Sequence, residues 1–270
     1  MKPMHDLSRI GLVEIDLKEA MYQSGCPVCR VCREGEFRYL KSLLWEHIND
    51  VDTRIRISES FGFCKRHAWQ LLDMEVSEWV VPSGNSIIYG SLLRQVIKQI
   101  ETPLSLIIKS NNKNKWRIII HRFLNMLTIL KGKWPVTFHS RKPCRVCEVS
   151  KETAAHYARV LVRLLSLSEF QLLYAASDGV CLPHLWEILA SRETNPGLVF
   201  LLKDIRDRLM TLENELNEFV RKQSWQYRDE QITDAQRTAA KRAAAFFTGD
   251  PDDALKAFQY RGRFHEDMEK

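Results

Sequence analysis

The chain has 270 residues, 45% of them apolar and 27% charged, with eleven glycines, nine prolines and seven cysteines. This is enough apolar matter to bury a core, which excludes a disordered chain, and the scarcity of glycine and proline predicts an all-α protein rather than a turn-rich sheet. No run of about eighteen apolar residues is present to span a membrane, and seven cysteines without a secretory leader point to a reducing, cytoplasmic setting.

In chain order, residues 7–24 pair an apolar stretch, Ile10 to Ile15, with a helix-like stretch, Leu17 to Tyr22, and lead to Gly25. From Cys29 to about Asp50, Phe37, Leu40, Leu44, Ile48 and Val51 recur every three to four residues and predict one helix face. That helix is about 30 Å long at 1.5 Å per residue. Trp69, Leu71, Leu72 and Met74 predict a short packed helix. After Val81-Pro82-Ser83-Gly84 a longer helix carries Ile87, Ile88, Leu92, Leu93, Val96, Ile97 and Ile100, and Pro103 is expected to kink or end it.

Between Thr102 and Cys147 stand ten basic residues and no acidic one, in a chain of net charge +6. The rest of the chain is therefore net acidic, and the basicity is a local footprint for an acidic partner. Lys113, Lys115, Arg117, Arg122, Lys131, Lys133, Arg141 and Lys142 are its candidate contacts, with Trp116, Trp134, Phe138 and His139 able to stack on bases. Within it, Ile118 to Leu130 reads as an apolar helix with Arg117, His121, Asn125 and Thr128 as a polar stripe. Such a helix suits packing between domains better than a membrane surface.

Beyond it, Ser168 to Ser177 reads as a helix, and Leu198 to Arg221, entered through Asn195-Pro196-Gly197, carries Leu202, Ile205, Leu209, Leu212, Leu216 and Phe219 in a heptad seam. The seam is expected to pack on the Ile87–Ile100 helix of the same chain; a homodimer seam is the alternative. Trp225, Tyr227 and Arg228 form a basic aromatic cluster. Thr233 with Gln236 makes a capping box, Gly249 a helix stop, and residues 250–270 a flexible tail.

The chemistry lies in four ligand pairs. Cys26-Pro27-Val28-Cys29 answers to Cys144-Arg145-Val146-Cys147, and Cys64-Lys65-Arg66-His67 to Cys181-Leu182-Pro183-His184. Thirty-four residues separate the first two pairs of the chain and thirty-three the last two, and Trp69 and Trp186 each follow the His by two. The spacing reads as an internal repeat with one tetrahedral site of three Cys and one His in each half, Cys26, Cys29, Cys64 and His67 in the first and Cys144, Cys147, Cys181 and His184 in the second. The domains expected are 1–108, a basic hydrophobic linker 109–143, and 144–249. Four N/S donors with no open position describe a structural zinc site, so two zinc ions are expected, with iron-sulfur clusters as the alternative cofactor. Cys32 has Ser150 as its counterpart and reads as a packed thiol outside the repeated device.

These motifs resemble those of an uncharacterised bacterial family whose members carry a C-P-x-C and G-F-C-x-x-H half followed by a second Cys pair and a G-x-C-x-P-H half. The resemblance spans roughly residues 10–250. It implies the eight ligands, an α-helical fold and a cytoplasmic bacterial setting, and no reaction. With no nucleophile constellation or phosphate loop in the sequence, the expectation is a non-enzymatic zinc protein that engages a protein partner. A redox protein using the same ligands, and nucleic-acid binding through the basic linker, are the alternatives.

Overall fold

The computed structural model describes residues 11–79, 82–111, 142–192 and 194–249. Among the described residues there are helices and turns and no strand, as the composition requires. Five helices precede the basic stretch: α1 Leu12–Met21, α2 Pro27–Ser42, α3 Val51–Glu59, α4 Lys65–Trp79 and α5 Ser83–Asn111. Five follow it: α6 Arg145–Leu164, α7 Ser168–Ala176, α8 Leu182–Ala190, α9 Pro196–Arg221 and α10 Asp234–Thr248. None is long and apolar enough to cross a membrane. The Ile118–Leu130 helix, the proposed acidic-partner contacts other than Lys142, and the tail lie outside the described residues.

The chain divides into two compact units, and these do not follow the expected halves. One is continuous, Glu36–Val149; the other combines Met1–Gly35 with Ser150–Lys270. Both boundaries fall inside helices, α2 and α6.

In the continuous unit, Leu40 and Leu43 bury beside Ile57 of α3, Leu71 and Met74 of α4, and Ile88 and Leu92 of α5. After Ser42 helix α2 widens into a π turn, Leu43–His47, and Asp50 starts a new helix by accepting the Thr53 N–H at 2.8 Å. The single helix expected to Asp50 therefore ends earlier, and Phe37 and Val51 are exposed rather than part of the buried face. Helix α5 begins on the buried carboxylate of Glu75, which accepts from Gly84 N at 2.5 Å and Asn85 N at 2.9 Å. A carboxylate there meets two of the helix's unpaired N–H groups and its positive end. Of the two outcomes expected at Pro103, the helix does not end there: α5 continues to Asn111, since a proline removes one helix hydrogen bond and need not end a helix held elsewhere.

In the discontinuous unit, Leu17 and Met21 of α1, Val28 and Val31 of α2, Leu161 and Leu165 of α6, Tyr174 of α7, Ile188 of α8 and Leu201 of α9 form one core. Helix α7 falls where expected. Helix α9 starts at Asn195, whose side chain accepts from Leu198 N at 3.0 Å, and packs on α10. Of the seam, Ile205 is buried in the unit's core and Leu202 is exposed, and the neighbour α10 is one the heptad spacing alone does not name. Thr233 and Gln236 form the expected capping box, and Gly249 stops α10 at φ +84. Arg221 lies over Tyr227 at 4.4 Å, whereas Trp225 is exposed.

Candidate metal centres

Each ligand pair opens a helix. Cys26, Cys64, Cys144 and Cys181 precede α2, α4, α6 and α8 by one residue, and their carbonyls accept from Arg30, Ala68, Glu148 and Leu185 at 2.9 to 3.1 Å. Each is thus an N-cap, with its second ligand, Cys29, His67, Cys147 or His184, at the third helical position. That spacing puts both donors over the helix's free N–H groups and positive dipole end, where thiolate is favoured over thiol.

The pairs meet in two clusters: Cys26, Cys29, Cys181 and His184 in the discontinuous unit, and Cys64, His67, Cys144 and Cys147 in the continuous one. All eight expected residues take part. Their grouping is a correction, because each cluster joins a Cys pair from one expected half to a Cys-His pair from the other. His67 sits beside Glu36 of its own unit, with its Nε2 3.5 Å from Glu36 Oε2. Cys32 stays outside both clusters, buried, with its thiol 3.6 Å from Ser150 O.

Within each cluster the four ligand atoms lie within 4.8 Å of one another. In the first, His184 Nδ1 is 3.1 Å from Cys181 Sγ, 3.3 Å from Cys29 Sγ and 3.6 Å from Cys26 Sγ. In the second, His67 Nδ1 is 3.2 Å from Cys64 Sγ, 3.3 Å from Cys147 Sγ and 3.6 Å from Cys144 Sγ. Cys29 to Cys181 and Cys64 to Cys147 are each 3.6 Å. A tetrahedral zinc with bonds of about 2.3 Å to sulfur and 2.05 Å to nitrogen has edges of about 3.8 Å and 3.6 Å. The donor sets fit that tetrahedron, and the sulfur separations are far beyond the roughly 2.05 Å of a disulfide.

The surroundings favour one thiolate in each cluster, Cys29 in the first and Cys144 in the second, while burial and neighbouring sulfurs raise Cys26 and Cys147. Burial raises the Cys144 thiol, but hydrogen bonds from His67 and from the backbone N–H groups of Cys64, Cys147 and Val146 overcome this and bring its pKa to about 6. Burial opposes charge on His184, and hydrogen bonds with Cys181, Cys29 and Cys32 push it up to about 12. Burial and the neighbouring Cys181 and Cys29 raise Cys26, while hydrogen bonds with Cys181, Cys26 and His184 hold Cys29 far below an ordinary thiol. Protonated imidazole therefore balances thiolate in the metal-free clusters, and a cation that binds must displace those protons.

The loops that deliver the pairs are held differently. Ahead of Cys181, the Tyr174 hydroxyl accepts from Val180 N at 3.0 Å, and Arg208 donates to the carbonyls of Tyr174, Ala175 and Ser177 at the end of α7. Asp178 accepts from Gly25 N at 2.6 Å, tying together the two loops that enter the first cluster. Gly25 and Gly179 have φ of +91 and +76, a region a side chain would strain. Gly249 also closes on this cluster: a Cβ there would lie 3.2 Å from Cys29 Sγ. Ahead of Cys64, the loop holds itself, with Ser60 Oγ donating to Gly62 O at 2.7 Å. Glu36, Tyr174 and Arg208 were not picked out by sequence reasoning; the only signal for Glu36 is its place seven residues after Cys29, where Ala154 stands seven after Cys147.

Of the basic candidates, Lys142 is described and pairs with Glu59 at 2.6 Å. His47 lies beside Glu46 and His156 beside Tyr157, neither near a cluster ligand set.

Residues 9–254 match the family of unknown function designated DUF6062, and the chain belongs to that family. No curated protein and no solved structure matches it.

Proposed function

We propose that the chain is a non-enzymatic zinc protein whose two structural sites hold helical units that present a surface to a protein partner. The observation that carries this is the completeness of each donor set. Two helix N-termini bring four protein atoms within 4.8 Å of one another, which leaves no position for a catalytic water, and structural zinc sites are closed in this way. The same separation supports a single ion over a polynuclear iron-sulfur cluster, whose thiolates bind different irons and stand further apart. Trp69 and Trp186, each two residues after a His ligand, are 55% and 64% exposed, and tryptophan in that state suits a protein contact.

Elemental analysis with an absorbance spectrum, on protein purified without oxygen or affinity metals, tests the metal. The expected result is two zinc ions per chain and no visible band; iron with sulfide and visible absorption would overturn the reading. For the partner, wild-type chain cross-linked in its native host should capture a defined protein that the W69A/W186A variant loses. Equal capture by both would remove the tryptophans from the interface.

A further inference from the structure

His67 and His184 turn the same nitrogen, Nδ1, to their sulfurs and differ in what faces the other. His67 is 2% exposed, and its Nε2 is buried without a hydrogen-bond partner. The acid nearest to it is Glu36, also 2% exposed, with Oε2 at 3.5 Å. At that length the pair is an ionic contact rather than a formed hydrogen bond. Arg66, about half exposed, pairs with the same carboxylate. His184 is only half-buried, and among the described residues no carboxylate pairs with it.

A buried carboxylate is costly unless its oxygens are matched by charge and hydrogen bonds. Arg66 provides charge. An imidazole whose Nδ1 is on a cation carries its proton on Nε2, and that proton points where Glu36 is. We propose that Glu36 is a positioning residue for the second metal centre: it accepts the Nε2–H of His67, fixes the ring with Nδ1 toward the ion and makes the imidazole a stronger donor. Outer carboxylates act on zinc-bound histidines in this way, and losing one typically weakens metal binding 10–100-fold. This rests on the reading that both clusters hold an ion. Its consequence is that the two centres are inequivalent: among the described residues, the Cys64 cluster has a supporting carboxylate and the Cys26 cluster does not.

The test loads the full chain with spin-active cadmium and follows its two resonances, together with ion release to a chelator. In E36Q one resonance should shift, one of the two ions should be held 10–100-fold less tightly, and E36D should recover part of the loss. If wild type holds two ions and E36Q leaves both resonances and both release rates unchanged, the role of Glu36 is overturned. If wild type holds no ion, the metal reading itself fails. Should E36Q not fold, nitrogen-edited spectra of the loaded wild type decide instead. The His67 Nε2 proton should exchange slowly with solvent; fast exchange there overturns the proposal.

Discussion

The two units hold similar donor sets in chains of different connectivity. The Cys64 cluster joins residues of a continuous stretch, with Cys144 77 positions from His67. The Cys26 cluster joins opposite ends of the chain, with Cys181 152 positions from Cys29. Loop length alone separates them little, since doubling a loop costs only about 0.6 kcal/mol. What differs is what an ion would connect. In the continuous unit it would join the start of α4 to the start of α6. In the other it would join the start of α2 to the start of α8, two segments with the whole continuous unit between them in sequence.

The strongest way to break this comparison is to remove ligands in pairs. C29S/C181S should leave one ion per chain, and C29S/C64S none, by elemental analysis. If each expected half held its own ion, the two counts would be reversed. Structural zinc contributes about 10–16 kcal/mol in finger peptides, as much as the roughly 5–15 kcal/mol that stabilises a whole domain. Hydrogen exchange in C29S/C181S should therefore show protection lost through α1, α7, α8 and α9 and kept in α3 and α4. Loss in all of them would show that the units do not fold independently.

Backbone contacts give the next largest effect. A Cβ at Gly197 would lie 2.0 Å from Val162 O and 2.9 Å from Ser166 N, both main chain, whereas at Gly84 it meets the ends of Ile48, Glu75 and Leu44 side chains at 2.5 to 3.1 Å. Side-chain ends can move; the carbonyl of a packed helix cannot without moving α6. G197A should cost about 3 kcal/mol or more and G84A about 1–2 kcal/mol, the range and upper edge of overpacking. Denaturant unfolding of the metal-loaded protein reads both. Equal losses would mean that α9 is free to shift on α6.

These contrasts mark what the sequence could carry. The eight residues of the two clusters were legible because C-x-x-C and C-x-x-H at helix starts have few other uses, and α7 and the α10 capping box were legible because their signals are local. The grouping was not. Pairing a Cys-Cys with a Cys-His gives three sulfurs and one imidazole whichever half each comes from, so spacing cannot choose, and a chain long enough to return is only permitted to do so. The choice was made by tertiary packing, which gathers each cluster within one unit and holds His67 beside Glu36. The α10 neighbour of α9 and the passage of α5 beyond Pro103 were illegible for the same reason, since long-range contacts override a local pattern.

The smallest effect sharpens the comparison at the loops. Tyr174 is fully buried, and burial raises its phenol pKa, so it is a neutral hydroxyl across the working range. Its oxygen is the acceptor for Val180 N–H, one residue before Cys181, and Val180 is itself buried. Y174F keeps the ring and its contact with Arg208, 5.7 Å away, but leaves that N–H without a partner. An orphaned buried donor costs about 1–3 kcal/mol. The loop ahead of Cys64 depends instead on the Ser60 hydroxyl, and S60A frees a carbonyl rather than an N–H; an under-satisfied carbonyl is tolerated better than an orphaned donor, so the loss should be nearer about 0.5 kcal/mol. In chelator competition Y174F should therefore speed release of one ion, and S60A should leave both close to wild type. If S60A proved the more damaging, the self-held loop would be the weaker of the two, and the stability of the Cys26 cluster would have to come from Asp178 and Gly25 rather than from α7.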